Sequence, residues 1–357
     1  MKVLFWVPYP KAESPSQRFR FEQYLSLLSQ NGIQYKLSTF WDEQSWKILY
    51  LNGKTFQKLM GFMRGVFRRV ASLFTLGAYD FIFIHREAMP LGPPVFEWVA
   101  HLFGKKIIYD FDDAIWLPNT SVENKIAGWL KWHRKVSTIC RWSAKVSCGN
   151  EFLCSYARQY NKNVVFNPTT IDTEHLHNPA LYPVQRDSGI TIGWTGTHST
   201  LKYLEFLEPI IQSLEQKFPG QLRFLVIANK MPDLKLQSLE FIPWNKPTEI
   251  PDLLKLDIGV MPLTDDIWAK GKCGFKALQY MALGVPCVIS PVGVNSEIVN
   301  DGVTGFLAIT QNEWVQKLER LMADQKLRET MGKNGREKVE AEYSVKSNAD
   351  NFLQLFS

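Results

Sequence analysis

Short apolar runs alternate with longer amphipathic stretches along this chain, and the alternation occurs twice. In the first half the apolar runs are residues 3–7, 33–39, 81–85, 106–110, 145–148 and 164–166. Helix-period patterns fill residues 16–30, 94–103, 125–142 and 151–160. Runs so short and uniformly apolar suit strands buried on both faces, and strand–helix–strand succession builds right-handed parallel units. Residues 178–189 (NPALYPVQRDSG) have two prolines and no period, which reads as a linker. The alternation then restarts, with strands at 190–195, 222–227, 239–242, 258–261, 287–290 and 305–308. Helices are expected at 199–217, 274–283, 313–323 and 325–340. The pattern predicts an α/β chain of two doubly wound, Rossmann-like domains facing across a cleft, with ligands at the carboxyl ends of the strands. The expected boundaries are 1–180 and 190–340, with 341–357 forming a helix that packs back on the first domain.

Composition narrows the classes. A chain of 357 residues exceeds what one core usually serves. With 45% apolar and 21% charged residues it is a folded protein rather than a disordered one. The five cysteines are odd in number, form no CxxC pair and lie mostly in apolar surroundings, as buried reduced thiols of a cytoplasmic protein would. The apolar run of MKVLFWVPYP is stopped by proline too early for a signal peptide, and no window of 18 apolar residues spans a membrane. A net charge of +6 suits nucleotide phosphates or acidic lipid and is too diffuse to argue for nucleic acid.

Residues 271–307 (GKCGFKALQYMALGVPCVISPVGVNSEIVNDGVTGFL) carry the most chemistry. A glycine-rich loop with Lys272 and Lys276 leads into a helix closed by Gly284, with Pro286 beyond it. Unpaired N–H groups at a helix start, with two lysines beside them, make a pyrophosphate site. At the opening of the second domain, Gly196 would let backbone approach a phosphate, Thr197 offers a hydroxyl or a cap, and Lys202 lies one turn into the following helix. Trp244, just past a strand, would wall a nucleoside base or simply pack. In the first domain one strand end delivers His85 and Arg86, and another delivers Asp110, Asp112 and Asp113. Ser16, Arg18 and Arg20 follow the first strand, where the arginines would meet phosphate or an anionic acceptor or be ordinary surface residues.

The run QYMALGVP, followed by PVG, SEIV and TGFL, resembles the C-terminal signature of glycosyltransferase family 4, the glycosyl transferases group 1, which has the GT-B fold. SPSQRFR, IDTEHL and IGWTGTHSTLKYL match further family segments in order. The resemblance implies transfer of a sugar, of hexosyl type and with retention, from a nucleotide-diphosphate sugar to the hydroxyl of a glycan or lipid-linked acceptor. It implies a donor diphosphate on Gly196, Thr197, Lys202, Lys272 and Lys276, and a nucleoside on Trp244 and Gln279. His85 is placed near the donor sugar and acceptor, and with Asp112, Asp113 and Lys276 forms the expected catalytic group. Ser16, Arg18 and Arg86 are expected to line the acceptor side or the cleft.

The sequence departs from the family at two glutamates, whose positions hold Gly271 and Gln279. Gln279 can still bond a ribose as a neutral partner. Gly271 cannot take over a carboxylate, and Asp265 or Asp266 upstream is expected to meet the donor sugar instead. Asp110 and Asp112 have the D-x-D spacing that holds a divalent ion in GT-A enzymes. In a GT-B chain the lysines and helix N–H groups meet the leaving phosphate's charge, so no metal ligands, no essential divalent ion and no cofactor are expected. No carboxylate pair is assignable as in a hydrolase double displacement, and the resemblance implies a front-face route. Two other readings stand: a sugar-nucleotide epimerase of the same architecture, and a non-catalytic nucleotide-sugar-binding protein. A dehydrogenase is set aside, because no G-x-G-x-x-G follows a strand.

From Lys54 to Phe74 a helical wheel gathers Lys54, Lys58, Gly61, Arg64, Gly65, Arg68, Arg69 and Ser72 in an arc of roughly 140°. Apolar residues take the rest, and no acidic residue interrupts. Such a helix either lies on an anionic membrane surface, making the chain peripheral on its inner face, or packs its wide apolar face on the first sheet.

Overall fold

The computed structural model describes residues 1–49, 51, 53–118, 132–183 and 189–357. It divides into two units. Unit 1 comprises Met1–Thr169, Gly271–Cys273 and Asn348–Ser357; unit 2 comprises Thr170–Lys270 and Gly274–Ser347. The chain changes unit after Thr169, ahead of the aperiodic stretch 178–189, of which 184–188 lie outside the described residues.

Unit 1 has a six-stranded parallel sheet of β1 (Lys2–Val7), β2 (Gln34–Thr39), β3 (Phe81–His85), β4 (Lys106–Phe111), β5 (Lys145–Cys148) and β6 (Val164–Phe166), in the order β2-β1-β3-β4-β5-β6. Unit 2 repeats the plan with β7 (Ile190–Gly196), β8 (Leu222–Ala228), β9 (Leu239–Pro243), β10 (Ile258–Met261), β11 (Cys287–Ile289) and β12 (Phe306–Leu307), ordered β12-β11-β10-β7-β8-β9. All twelve strands fall on apolar runs read from the sequence. In each sheet the strand order reverses beside the unit's first strand, at β1/β3 and at β7/β10, and these switch points are where open α/β sheets leave a ligand crevice.

The helices depart more from their sequence patterns. The pattern at 16–30 breaks into Pro15–Arg20, a 3-10 turn and Leu25–Gln30. That at 199–217 opens as a 3-10 helix, His198–Phe206, and becomes α-helical only at Glu208–Lys217, where Pro209 fits the first turn. Of the 125–142 pattern the structure describes the helix Lys135–Trp142; 125–131 lie outside the described residues. The 313–323 pattern starts earlier, at Gln311, because Thr310 and Glu313 form a reciprocal capping box.

The unit 1 core is aromatic. Phe5, Phe21, Phe83 and Phe356 pack with ring centroids 4.8–6.3 Å apart, and Phe352 stacks on Tyr24 at 4.2 Å. The last ten residues therefore complete the core of unit 1. In unit 2, Trp194, Phe224, Leu318 and Trp314 anchor one buried cluster.

The helix Thr55–Leu73 is inside out. It does not lay its wide apolar face on the sheet, as one sequence reading expected; its buried residues are Gly61, Gly65 and Arg69. A Cβ on Gly61 would lie 2.5 Å from Ser45 Oγ, and one on Gly65 would lie 2.7 Å from the Phe40 ring and 2.8 Å from its carbonyl. Glycine is what lets this helix approach. The buried Arg69 donates to the carbonyls of Val7, Ser38 and Ala88 and to Ser38 Oγ at 2.7–2.8 Å. Burial pulls its pKa down to about 9, which still leaves it a cation at neutral pH. The predicted consequence inverts ordinary amphipathic logic. Gly65→Val should destabilise by about 1–3 kcal/mol or more through overpacking, whereas the exposed Met63→Ser should stay within about 0.5 kcal/mol; thermal melts of both variants check this.

Candidate functional site

In unit 1 the switch point is occupied by a connected polar network. Ser16 lies on the helix Pro15–Arg20 that follows β1, and His85 ends β3. Ser16 Oγ is 2.8 Å from His85 Nε2 and donates to Asp112 Oδ1 at 2.9 Å. His85 Nδ1 is 2.8 Å from Asp110 Oδ2, its register partner on β4, and both side chains are fully buried. Asp110 also accepts from Ser147 Oγ at 2.6 Å and forms an ion pair with the buried Arg20, which in turn donates to the Asn167 carbonyl.

Burial raises the Asp110 pKa, but Arg20 and His85 outweigh it and hold the carboxyl below its usual range. The ionised Asp110 favours a proton on Nδ1. Ser16 Oγ therefore bridges His85 Nε2 and the half-buried Asp112, and its single hydrogen can go to either.

Beside it lies a cluster of opposite charges. Arg86, held at a φ of 61°, pairs with Asp113 and lies 3.6 Å from Asp112. Lys272 Nζ is 3.6 Å from Asp113 Oδ1. Burial would raise Asp113, yet Lys272 and Arg86 keep its pKa below the ordinary value. The stretch Gly271–Cys273 is seated here by Asn150, which donates to the Lys272 carbonyl at 2.9 Å, and by Cys273 Sγ on the Asp112 carbonyl. A Cβ at Gly271 would lie 2.7 Å from Ala114 Cβ and 2.8 Å from its nitrogen. Arg18 is buried with its guanidinium over the Phe19 ring. The D-x-D pair has divided partners, Asp110 on Arg20 and His85, Asp112 on Ser16. Among the described residues no cluster of three or more His, Cys, Asp or Glu could hold a metal ion.

In unit 2 the helix Phe275–Ala282 starts from Gly274 in the left-handed region. Lys276 lies in its first turn, with Nζ 5.2 Å from the Trp194 ring centroid. At the end of β7 a Cβ on Gly196 would meet the Trp194 ring at 2.3 Å, so this glycine is needed for packing whatever binds beside it. Thr197 caps the 3-10 helix by position, but its hydroxyl is on Ser199 Oγ at 2.9 Å. Lys202 is exposed; burial raises the Asp266 pKa, but hydrogen bonds from Thr264 and Ala269 and the charge of Lys202 hold it below its usual value. Asp266 accepts from Thr264 Oγ1 and from the Ala269 N–H at 2.6 and 2.7 Å, and so orders the turn Ile267–Lys270. Asp265 is exposed, 3.2 Å from Lys270. Trp244, half-buried, follows β9, and its N–H donates to Ala228. Gln279 is buried, with its amide nitrogen 3.2 Å from His177 Nε2.

Thus Ser16, His85, Arg86, Asp112, Asp113 and Lys272 come together in unit 1, and Gly196, Thr197, Lys202, Lys276, Asp265 and Asp266 belong to unit 2. Sequence reasoning missed Arg20 as the partner of Asp110. Half of the signal was present, because Arg20 is four residues after Ser16 on the same helix face; the other half, Asp110 level with His85, is set by the strand pairing.

Residues 229–338 match the family model described as glycosyl transferases group 1. That likeness covers less than half of the chain. No curated protein matches the sequence. Among solved structures, the sucrose-phosphate synthase of Thermosynechococcus elongatus aligns over 99% of this chain and 98% of its own at 15% identity, TM-score 0.67. A glycosyltransferase from Rickettsia africae aligns over 99% and 97% at 12% identity, TM-score 0.69. Anabaena HepE in complex with UDP aligns over 99% of both chains at 14% identity, TM-score 0.60. The fold these likenesses share is GT-B, two Rossmann-like units in succession.

The buried network yields a pH prediction. A carboxyl with a depressed folded pKa contributes stability above its unfolded value, about pH 4, and loses it as pH falls toward the folded value. Wild-type melting temperature should therefore drop below about pH 4. Asp110→Asn should cost about 3–5 kcal/mol at neutral pH by leaving Arg20 buried and unpaired, and should show a shallower acid slope. Melts across the acid range test both parts.

Proposed function

We propose that this chain is a glycosyltransferase that moves a hexosyl group from a nucleotide-diphosphate sugar to the hydroxyl of a glycan or lipid-linked acceptor, with retention of configuration. The observation that carries the reading is the unit 2 site. The helix Phe275–Ala282, with Lys276 in its first turn, lies beyond the carboxyl end of β10, next to the β7 switch point and within the group 1 segment.

Breaking the anomeric bond leaves negative charge on the β-phosphate. Lys276, Lys202 and the N–H groups at the start of that helix oppose it, and Lys272 is assigned to the same task. These cations take the place of a divalent ion, so chelation by EDTA should leave turnover unchanged. Gly196 and Thr197 are proposed beside the diphosphate, and Trp244 beside the base. Unit 1 holds the acceptor: Ser16 and His85 orient its hydroxyl, while Arg18 and Arg86 keep the surrounding charge positive. Asp112 takes up a proton relayed through Ser16, with Asp113 fixing Arg86. A lipid-linked acceptor would place the chain in the cytoplasm, peripheral on the inner face of the membrane.

A second reading has an observation in its favour. The two positions at which the family has glutamates are structurally committed here, Gly271 against Ala114 and Gln279 on His177. A non-catalytic nucleotide-sugar-binding protein would need neither carboxylate. Thermal-shift screening identifies the donor, because a ligand of the folded state raises the melting temperature by mass action. Uridine nucleotides come first, since HepE is described with UDP. With that donor, Lys276→Ala should lower kcat by about 10²–10³, the usual loss on removing one oxyanion-type donor. If Lys272→Ala and Lys276→Ala both turn over like wild type, the diphosphate assignment fails. Donor binding without hydrolysis or transfer across an acceptor panel would favour the binding protein, and an altered sugar with donor alone would mark an epimerase.

A further inference from the structure

The face that the helix Thr55–Leu73 turns to solvent is apolar along its whole length. Phe56, Leu59, Met60, Met63, Phe67, Val70 and Phe74 are exposed, Phe56 by 73% and Phe67 by 67% of their surface. At about 100° per residue these seven fall in an arc of roughly 100°, opposite the glycines and Arg69 that the helix buries. The helix Val95–Leu102 packs beside it and exposes Val95, Trp98 and Leu102, with Phe103 just beyond. Eleven of the twenty-one large apolar side chains exposed among the described residues thus stand on two neighbouring helices. Monomeric soluble proteins rarely expose a contiguous apolar patch beyond about a few hundred Å².

Charge indicates what covers it. From Lys54 to Phe74 there is no acidic residue. Arg64 and Arg68 lie to one side of this stripe and Lys54 and Lys58 near the start of the helix, while Arg69 is inside. Among the described residues one carboxylate pairs with these cations: Asp42, 3.7 Å from Arg64 and 3.1 Å from Arg68. Four cations against one anion leave the rim positive. An exposed apolar stripe with cations beside it and an exposed tryptophan on the neighbouring helix matches an anionic bilayer interface, which offers hydrocarbon at one depth and phosphate at the next.

We propose that the adjoining faces of the helices Thr55–Leu73 and Val95–Leu102 are a membrane-docking surface that inserts its apolar side chains into the interface of an anionic bilayer. The partner is the lipid surface, not a second protein chain. The proposal goes beyond the assignment of sugar transfer and does not depend on it.

Vesicle flotation of the full chain tests it, with phosphatidylcholine alone and with phosphatidylglycerol added. Wild type should float with the anionic vesicles and much less with neutral ones. Phe56→Ser and Phe67→Ser should each reduce partitioning roughly tenfold or more, and Lys58→Glu by roughly fivefold or more, with melting temperatures near wild type because none of the three is buried. Absence of flotation on anionic vesicles, or flotation indifferent to both Phe variants, overturns the proposal. So does a dimer in solution, seen by light scattering, that Phe56→Ser and Phe67→Ser dissolve, because the face would then be an interface between two copies.

Discussion

The buried pair of Arg20 and Asp110 holds unit 1 together where its chemistry lies. Taking both charges out of water is costly, and the pair persists because each has its remaining hydrogen-bonding capacity filled. Asp110 accepts from Arg20, His85 and Ser147, and Arg20 reaches Asp110, Ser147 and the Asn167 carbonyl. Those partners come from the helix after β1, the end of β3, β4, β5 and the segment after β6. One ionic contact therefore fixes the relative height of almost every strand end in the sheet. Ser16 precedes Arg20 by one helical turn, so anchoring Arg20 also sets Ser16 against His85. The Ser16–His85 contact and the structural anchor share the carboxylate Asp110, and neither can be altered alone.

The strands were legible because their signal is local: a parallel strand covered on both faces must be apolar, as β1, β3 and β10 are, while the edge strands β2 and β9 are partly exposed and carry polar residues. The helices were less so. Pro209 delayed one helix, and Thr310 with Glu313 advanced another, in both cases through end effects that periodicity does not contain. In the site, single residue types were readable at strand ends, His85, Asp112 and Asp113 among them, since loops after parallel strands are where ligands are met. Which residues pair was not readable, because it depends on register. Level placement of His85 with Asp110 follows from the β3–β4 ladder, and nothing in either segment alone specifies it. Nor does spacing reveal that Lys272, four residues before Lys276, belongs to the other unit, on Asp113.

That separation bears on the family's missing glutamates. At Gly271 the chain runs so close to residue 114 that even a methyl group would collide with Ala114. A glutamate there would force the stretch Gly271–Cys273 away from the carbonyl of Asp112 and would displace Lys272 from Asp113. At the second position, burial against His177 favours a neutral amide over a carboxylate, whose charge would be costly to desolvate. The two replacements are thus consistent with each other: each position is taken up by a structural contact, Gly271 against Ala114 and Gln279 on His177, that a carboxylate would disturb.

The inverted helix follows from a similar demand for polar satisfaction. Arg69 reaches carbonyls at the end of β1, on β2 and just past β3, and Ser72 Oγ accepts from the Trp6 indole at 3.0 Å. Turning the helix by half a revolution would bury Met63 and Phe67. It would also strip three carbonyls, an indole N–H and a guanidinium of their partners, each at about 1–3 kcal/mol or more. Gly61 and Gly65 remove the steric obstacle to the observed orientation, and the hydrogen bonds make it the favoured one. Exposure of Phe56, Phe67 and Phe74 is consequently fixed by what lies on the opposite side of the helix. A surface produced in this way cannot be relieved by local repacking, and only a partner that takes up apolar side chains while tolerating a basic rim can cover it.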